Sequence, residues 1–456
     1  MEFLCSCGKN FPKELALKQH QRDRVRANPA STCRDRVAGN EEKDAVLATS
    51  SAKSAKSLWS IAGKKDWLQQ GTGVMISSIS YGLLGLSGNE PRVSSSGGYE
   101  LLCSYNWINR AQPSIYVPGA APKYKEVAVP MVLDKDSGLQ YIDQNAARLA
   151  QYPFEVVFNA IELMNPYITF DAIDILVNRN SLRRLLEFCQ KQAMDSFRLN
   201  LFVIGNTLII ERCTKTAKQM LHGSGDPGYG KAFEQAVTEN HTDLQDSMAH
   251  HCVLKYELGG LECAVRFEVD ACVASSVADS QTGPRNTNGS QHYDAVDRLA
   301  GDLQAMGLGM RNPGTGIGIG SMQVIPCGTG TSPSHMAEIK ANAKPPGKSM
   351  PQLWFGRTSF LVRGSHDEST FTKVSVDNVS QKFEEWESSP RNQMALQKMV
   401  SLLSQLRDIV KGTEKKSCVA VYRKNREGPV LQIFDSTAGR SPLPIATVQR
   451  FWTSQS

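Results

Sequence analysis

Two short alternations, Glu268-Val269-Asp270 and Glu338-Ile339-Lys340, carry ionisable side chains two residues apart within stretches that read as β-strand. In a strand, residues i and i+2 leave the same face, so Glu268 is expected to pair with Asp270 and Glu338 with Lys340. Glu234 adds a carboxylate at the end of an amphipathic helical segment containing Phe233. Clustered carboxylates are the oxygen ligands that hard divalent cations require, and a lysine beside them can stabilise negative oxygens in a reacting phosphate. A solvated strand face is the ordinary use of a single Glu-x-Asp. Its repetition in a second strand, together with Glu234, weighs against that use here.

These residues need elements to hold them. An apolar run from Ile173 to Val177 reads as a strand ending at Arg179, with Ser181 as N-cap of a helix whose buried stripe is Leu182, Leu185 and Leu186. Strands Phe197–Ile204 and Thr207–Glu211 meet at Gly205-Asn206, a tight-hairpin pair. A second hairpin runs from Cys252 to Leu258, turns at Gly259-Gly260 and continues from Leu261 to Val273. In its second strand Val265, Phe267 and Val269 alternate with Arg266, Glu268 and Asp270. Other features carry less. His250 and His251 point to opposite faces of a strand and cannot easily share one ion. The glycine-rich run 314–320 lacks the Lys-Ser/Thr of a phosphate loop and reads as flexible insertion. Trp354 and Phe355 suit base stacking, although core packing is their commoner use.

The 456 residues are 41% hydrophobic, enough for a sizeable core. Residues 1–66 hold 13 Lys/Arg against 8 Asp/Glu, so most of the formal net charge of +6 lies in this arm and the body is close to neutral. Eleven scattered cysteines, an odd number, do not form a secreted disulfide framework. No signal peptide is recognisable, and no apolar stretch reaches the roughly 20 residues of a membrane span. The chain is expected to be intracellular, without membrane association, the nucleus slightly favoured over the cytoplasm.

The expected divisions are a zinc-finger-like element at 1–36, a flexible linker at 37–98, and a catalytic body at 99–445 interrupted by a flexible insertion at about 275–335. Cys5, Cys7 and His20 have the spacing of a compact finger. No second histidine follows, and Cys33 is the nearest fourth ligand, so a Zn²⁺ site and a degenerate remnant stand as the two readings. The fold expected is α+β: a mixed, largely antiparallel twisted sheet flanked by helices, with the acids in a central cleft.

The order of motifs resembles that of the DXO-type decapping exoribonucleases, relatives of the PD-(D/E)XK nucleases. It runs Arg179 before a Leu-Leu helix, Gly230-x-x-Phe233-Glu234, Glu268-Val269-Asp270, Glu338-Ile339-Lys340, and Gln352 before an aromatic-Gly segment. The likeness extends over roughly residues 100–435, including a strand Ser359–Gly364, the segment Phe383–Trp386 and a terminal helix Met394–Val410. The chain departs from the pattern in Lys231-Ala232 before Phe233, in the Asn-Arg-Asn around Arg179, and in the length of the insertion. The resemblance implies Mg²⁺ or Mn²⁺ held by Glu234, Glu268, Asp270, Glu338 and the main-chain carbonyl of Ile339. It implies Lys340 at the attacking water and Arg179 and Gln352 on the substrate. RNA 5′ ends are the implied substrate, for decapping, pyrophosphate release or 5′-to-3′ degradation, and a 5′-to-3′ exoribonuclease the implied protein partner. Two other readings stand beside it: an RNA- or protein-binding adaptor that retains the fold without catalysis, and a DNA endonuclease cutting within a strand. Without metal the four acids are expected to repel one another, raising their pKa values.

Overall fold

Ile175-Leu176-Val177 and Leu208-Ile209-Ile210 are apolar at every position, the pattern of strands covered on both faces. The computed structural model describes residues 66–85, 90–221, 227–274, 322–342, 346–424 and 428–453, with residues 3–4, 10–11 and 20. The chain divides into two units, Met1–Lys65 and Asp66–Ser456. In the first, Phe3–Leu4 pairs antiparallel with Asn10–Phe11. Cys5, Cys7 and Cys33 of the expected zinc set lie outside the described residues.

The second unit begins with β1 (Thr72–Ser80), β2 (Glu100–Ile108), β3 (Ser114–Pro118) and helix α1 (Glu155–Met164). Next come β4 (Ile175–Asn178), α2 (Arg179–Cys189), β5 (Phe197–Ile204), β6 (Thr207–Cys213) and α3 (Gly230–Ala236). The hairpin β7 (Ser247–Leu258) and β8 (Leu261–Val269) leads into β9 (Ala271–Cys272), β10 (Gln323–Cys327) and β11 (Met336–Lys340). After α4 (Met350–Gly356), β12 (Phe360–Asp367) and β13 (Thr370–Asn378) follow α5 (Phe383–Ser388), α6 (Pro390–Gly412), β14 (Ser417–Tyr422), β15 (Val430–Ser436) and α7 (Ile445–Phe451).

An 11-stranded sheet has the order β10-β3-β2-β7-β8-β4-β6-β5-β14-β15-β1, and a 7-stranded sheet contains the run β9-β11-β12-β13. Most pairs are antiparallel. The block β8-β4-β6 and the pairs β10·β3 and β11·β12 are parallel. This is the mixed α+β architecture expected.

Both faces of the large sheet are covered. Ile175, Val177, Leu208, Ile210 and Val265 pack with Leu182, Leu185 and Leu186 of α2 and with Met399, Leu402 and Leu406 of α6. Leu176, Ile209 and Ala264 pack on the other side with Val157 and Phe158 of α1, Phe451 and Trp452. Each large aliphatic side chain buried in this way contributes about 1.5–3 kcal/mol relative to exposure, so the helices are held chiefly by these stripes.

Several boundaries differ from the sequence expectations. Ser181 is not the N-cap: α2 begins at Arg179, Asn178 occupies the cap position, and Ser181 is buried inside the helix. Within the expected linker, β1 forms an edge of the large sheet against β15. Within the expected insertion, β10 forms the opposite edge against β3. Serine- and glycine-rich surroundings dilute both apolar runs, whose strand pairing depends on partners far along the chain. The helix expected at 394–410 spans Pro390–Gly412 and is followed by β14, β15 and α7, so the ordered core passes the expected boundary at 445 because Phe451 and Trp452 bury against α1.

The Ser94-Ser95-Ser96 segment, which reads as linker, instead holds a buried acid. Glu387, 1% exposed, accepts from the Ser94 hydroxyl (2.6 Å), the Ser95 N–H (2.9 Å) and hydroxyl (2.7 Å), and Trp354 Nε1 (2.6 Å). Burial alone would push its pKa up, yet the Ser94, Trp354 and Ser95 donors hold it below the ordinary glutamate value. The stability this contributes is present above the unfolded pKa and is lost as pH falls through the depressed one. Glu387→Ala should cost about 2–4 kcal/mol at pH 7, and its deficit against the wild type should shrink toward pH 3, measured from urea midpoints.

Candidate active site

In the parallel block, Asn178 of β4 stands beside Arg266 of β8, and Val177 beside Ile210 of β6. The carboxyl ends of three strands are therefore level. Residues near these ends are neighbours: Arg179 opening α2, Arg212 just before β6 ends at Cys213, and Phe267-Glu268 just before β8 ends at Val269. A cavity of about 510 Å³ opens here, in the place where parallel strands leave a crevice for ligands. Glu234, Glu268, Arg179, Arg183, Arg212 and Gln352 are among its lining. The Asn178 side chain does not cap α2; its Oδ1 accepts from Arg266 Nε at 2.8 Å, joining β4 to β8 at the cavity's base.

The acids converge because the chain changes sheets. β8 ends at Val269, and β9 joins the second sheet by pairing Ala271 with Ala337 of β11. Asp270 lies at the step between them, and its Oδ2 accepts from the Ile339 N–H at 2.8 Å. Glu338, 2% exposed, is enclosed by donors: Oε2 accepts from Arg179 Nη2 at 3.1 Å, and Oε1 from Lys340 Nζ and Gln352 Nε2. Arg179 also donates to the Glu268 carbonyl at 3.3 Å, and its guanidinium lies 5.1 Å from the Phe267 ring centre.

Glu234 comes in on α3, a single short helix fixed from outside. Asp136 accepts from the N–H groups of Lys231 (3.0 Å) and Ala232 (2.9 Å), 95 and 96 residues away, satisfying two of the open donors of its first turn. One residue before Glu234, the Phe233 ring stacks on Phe371 with centroids 4.8 Å apart. Gly364 makes room for it: a Cβ there would come within 2.6 Å of the Phe233 ring.

Burial, then the charges of Glu268 and Glu338, push the Glu234 carboxyl up to about 8. Burial and the charges of Glu338 and Glu234 raise Asp270 well above the ordinary carboxylate range. Glu268 faces the water of the cavity, yet the protein around it and the charge of Glu338 raise it as well. Glu338 departs from the expectation for all four acids. Burial opposes its ionisation, but Lys340 and Arg179 hold it below the ordinary value. Lys340 is raised in turn: burial opposes its charge, and Glu338 and Asp270 outweigh it.

The structure thus gathers Glu234, Glu268, Asp270, Glu338, Lys340, Arg179 and Gln352 into one electrostatic unit. At Ile339 it is the N–H, engaged by Asp270, that is observed in a contact. Among the described residues no three His, Cys, Asp or Glu side chains stand ready as a cation cage. The donor chemistry nevertheless suits a divalent ion, since hard cations take carboxylate oxygens, and three of these four acids are raised by burial and then by one another's charge, which a cation would offset.

Sequence reasoning passed over Arg183, Arg212 and Asp136. Arg183 had a signal, four residues after Arg179 on one helix face. Asp136 had none, because its partners are remote in sequence. Trp354 and Phe355 are core residues, fully buried. His250 and His251 separate as expected. His250 Nδ1 lies 2.7 Å from Asn106 Oδ1, and His251 stacks on Tyr105 at 5.2 Å. Residues 314–320 lie outside the described residues.

The mixed-sheet fold that carries this cleft is seen in solved structures. Scheffersomyces stipitis Rai1, solved in complex with (3′-NADP)+ and calcium ion, superposes with a TM-score of 0.50 at 10% identity, over 84% of this chain and 99% of that one. S. pombe Rai1 gives 0.48 at 11% identity over 78% and 98%, and Candida albicans Rai1 in complex with pU5-Mn²⁺ gives 0.44 at 12% over 80% and 95%. No curated protein matches the chain. The chain belongs to the family described as domain of unknown function DUF8563, whose model matches residues 83–452.

Removing one negative neighbour eases ionisation of the others. Glu268→Gln should lower the Glu234 midpoint from about 8 in a metal-free ¹³C-carboxyl NMR titration; an unchanged midpoint would show that the two carboxylates do not share a site.

Proposed function

We propose that this protein is a divalent-metal-dependent hydrolase of RNA 5′ ends, acting by decapping, by pyrophosphate release from 5′-triphosphates, by 5′-to-3′ degradation, or by a combination of these. The observation that carries the proposal is the meeting of Glu234, Glu268, Asp270 and Glu338 from three chain segments, with Lys340 and Arg179 among them, beside an arginine-lined cavity. The fold shared with Scheffersomyces stipitis Rai1, which holds a dinucleotide and a calcium ion, supports the same reading.

Glu234, Glu268, Asp270 and Glu338 would hold Mg²⁺ or Mn²⁺, with the Ile339 carbonyl added by the family resemblance. When bound, such an ion supplies charge neutralisation at the phosphate, hydroxide near neutral pH and relief of charge on the leaving oxygen. Lys340, charged because Glu338 and Asp270 favour its proton, offers an ammonium to the phosphoryl oxygens that gain charge in the transition state. Arg179, held in place by Glu338 and the Glu268 carbonyl, fixes the phosphate by charge-assisted hydrogen bonds. Gln352 spans Glu338 and Arg183 and so orients the first group of the substrate's phosphate chain.

A second reading has one observation in its favour. Both oxygens of Glu338 are taken by protein donors, as befits a non-catalytic adaptor that binds RNA or protein on this fold. Assays with 5′-triphosphate, capped and 5′-monophosphate RNA, in Mn²⁺ or EDTA, separate the two. Hydrolysis is expected in Mn²⁺ and not in EDTA. Asp270→Asn keeps an acceptor for the Ile339 N–H and should lower turnover about 10²- to 10³-fold, the scale of losing one group that stabilises transition-state charge, with the melting temperature unchanged. Full activity of the variant would remove Asp270 from the mechanism, and binding without hydrolysis would favour the adaptor.

A further inference from the structure

One wall of the cavity runs from the helix that bears Glu234 to the strand neighbour of Glu268. Asp136, Gln140, Tyr141, Ile142, Asp143 and Asn145 all line it. At one end Asp136 grips α3: it accepts from the Lys231 and Ala232 N–H groups at 3.0 and 2.9 Å, and its own N–H donates to the Gly228 carbonyl at 2.9 Å. At the other end Asp143 caps the short helix Gln144–Arg148, its Oδ1 accepting from the Ala146 N–H at 3.0 Å. Asn145, 5% exposed, is fixed in orientation. Its Oδ1 accepts from the Tyr105 hydroxyl (2.8 Å) and from Trp107 Nε1 (3.0 Å), and because an indole only donates, Nδ2 is left to donate to His251 Nε2 at 3.2 Å. His251 in turn pairs with Glu268 across β7 and β8.

Between these ends the wall is weakly held. Gly138–Tyr141 pairs antiparallel with Lys218–Leu221 as a two-stranded sheet separate from both large ones. None of its residues is buried, and the directly paired Leu139 and Met220 are 43% and 49% exposed. A two-stranded ribbon without a core is marginal in water, and segments with so few buried contacts open at low free-energy cost. The helix at its Asp136 end is no sturdier alone, since α3 has seven residues and a helix that short does not hold itself in water. Phe233 pins the core-facing side of α3 and Asp136 holds its first turn. The placement of Glu234 therefore depends on whether the ribbon is formed.

We propose that residues 136–143 are a strap that couples occupancy of the cavity to the metal site. With the ribbon paired, Asp136 is a positioning residue that keeps Glu234 beside Glu268 and Glu338, and a ligand lying against Gln140 and Tyr141 tightens that hold. The inference rests on the reading of the four acids as a divalent-ion site and adds its regulation from the cavity wall. The coupling is reciprocal, so a filled cavity raises metal affinity by the factor by which metal raises affinity for the cavity ligand.

Two measurements on the full chain test this without assaying turnover: Mn²⁺ affinity from the paramagnetic resonance of the free ion, and hydrogen exchange in EDTA of the peptide containing Lys231 and Ala232. Asp136→Ala should weaken Mn²⁺ binding about 10- to 100-fold, the usual effect of losing a group that orients a metal ligand, and speed exchange in that peptide. Asp136→Asn, which keeps one acceptor, should fall between it and the wild type. Gln219→Pro breaks the ladder opposite Gln140, outside the cavity. It should weaken Mn²⁺ binding at least about twofold, the scale of a coupling mutation, with an unchanged melting temperature. A 5′-triphosphate RNA added in EDTA should slow exchange of the peptide in the wild type and not in Gln219→Pro. Wild-type Mn²⁺ affinity in Asp136→Ala or Gln219→Pro, or bound RNA that leaves the exchange unchanged, would overturn the strap. A wild type that binds no Mn²⁺ would overturn the divalent-ion reading, and one that binds no RNA by anisotropy the RNA reading.

Discussion

The chain leaves the 11-stranded sheet at Val269 and enters the 7-stranded sheet at Ala271, and the candidate site depends on that step. A strand confined to one sheet would send Glu268 and Asp270 from the same face toward the same neighbours. Here Glu268 faces the cavity above the parallel block, while Asp270 is held by the backbone of β11. Pairing Ala271 with Ala337 then puts Glu338 beside the step, because the next residue along β11 is the one whose carboxylate meets Arg179.

Glu338 is the point at which the two sheets are joined electrostatically. Its donors come from α2, from α4 and from its own strand, so the ends of both sheets are tied through one buried carboxylate. A buried charge of this kind needs its full complement of partners, since an unpaired one is expensive to keep from water. That requirement explains why Glu338 alone among the four acids is held below its ordinary pKa, while at Glu234, Glu268 and Asp270 burial and the neighbouring carboxylates outweigh the cations around them.

Much of this was legible in the chain itself. The period-two alternation in β8 and β11 and the glycine pairs at the two hairpins require only local geometry and were legible, but the strand expected to continue to Val273 ends at Val269, because Ala271-Cys272 pairs in the second sheet and so parts Asp270 from Glu268. The helix after Arg179 was legible for its apolar stripe, but its start was misplaced at Ser181. A serine before a leucine run looks like a cap, whereas the actual boundary is set by Asn178 remaining in the β4 ladder. The serine-rich segment at 94–96 reads as linker because composition cannot reveal Glu387, nearly 300 residues away, which gives those hydroxyls a buried partner.

By itself, then, the sequence determined the residue types of the site and most of the strands and helices that bear them, since side-chain alternation and hydrophobic periodicity act over a few residues. Only the tertiary structure decided which acids would be raised and which lowered, that Asp136 would anchor the helix of Glu234, and that Arg183 and Arg212 would face a common cavity. Electrostatic energies depend on distances between segments tens to hundreds of residues apart and on how much water is excluded between them, and those quantities exist only once the two sheets have packed.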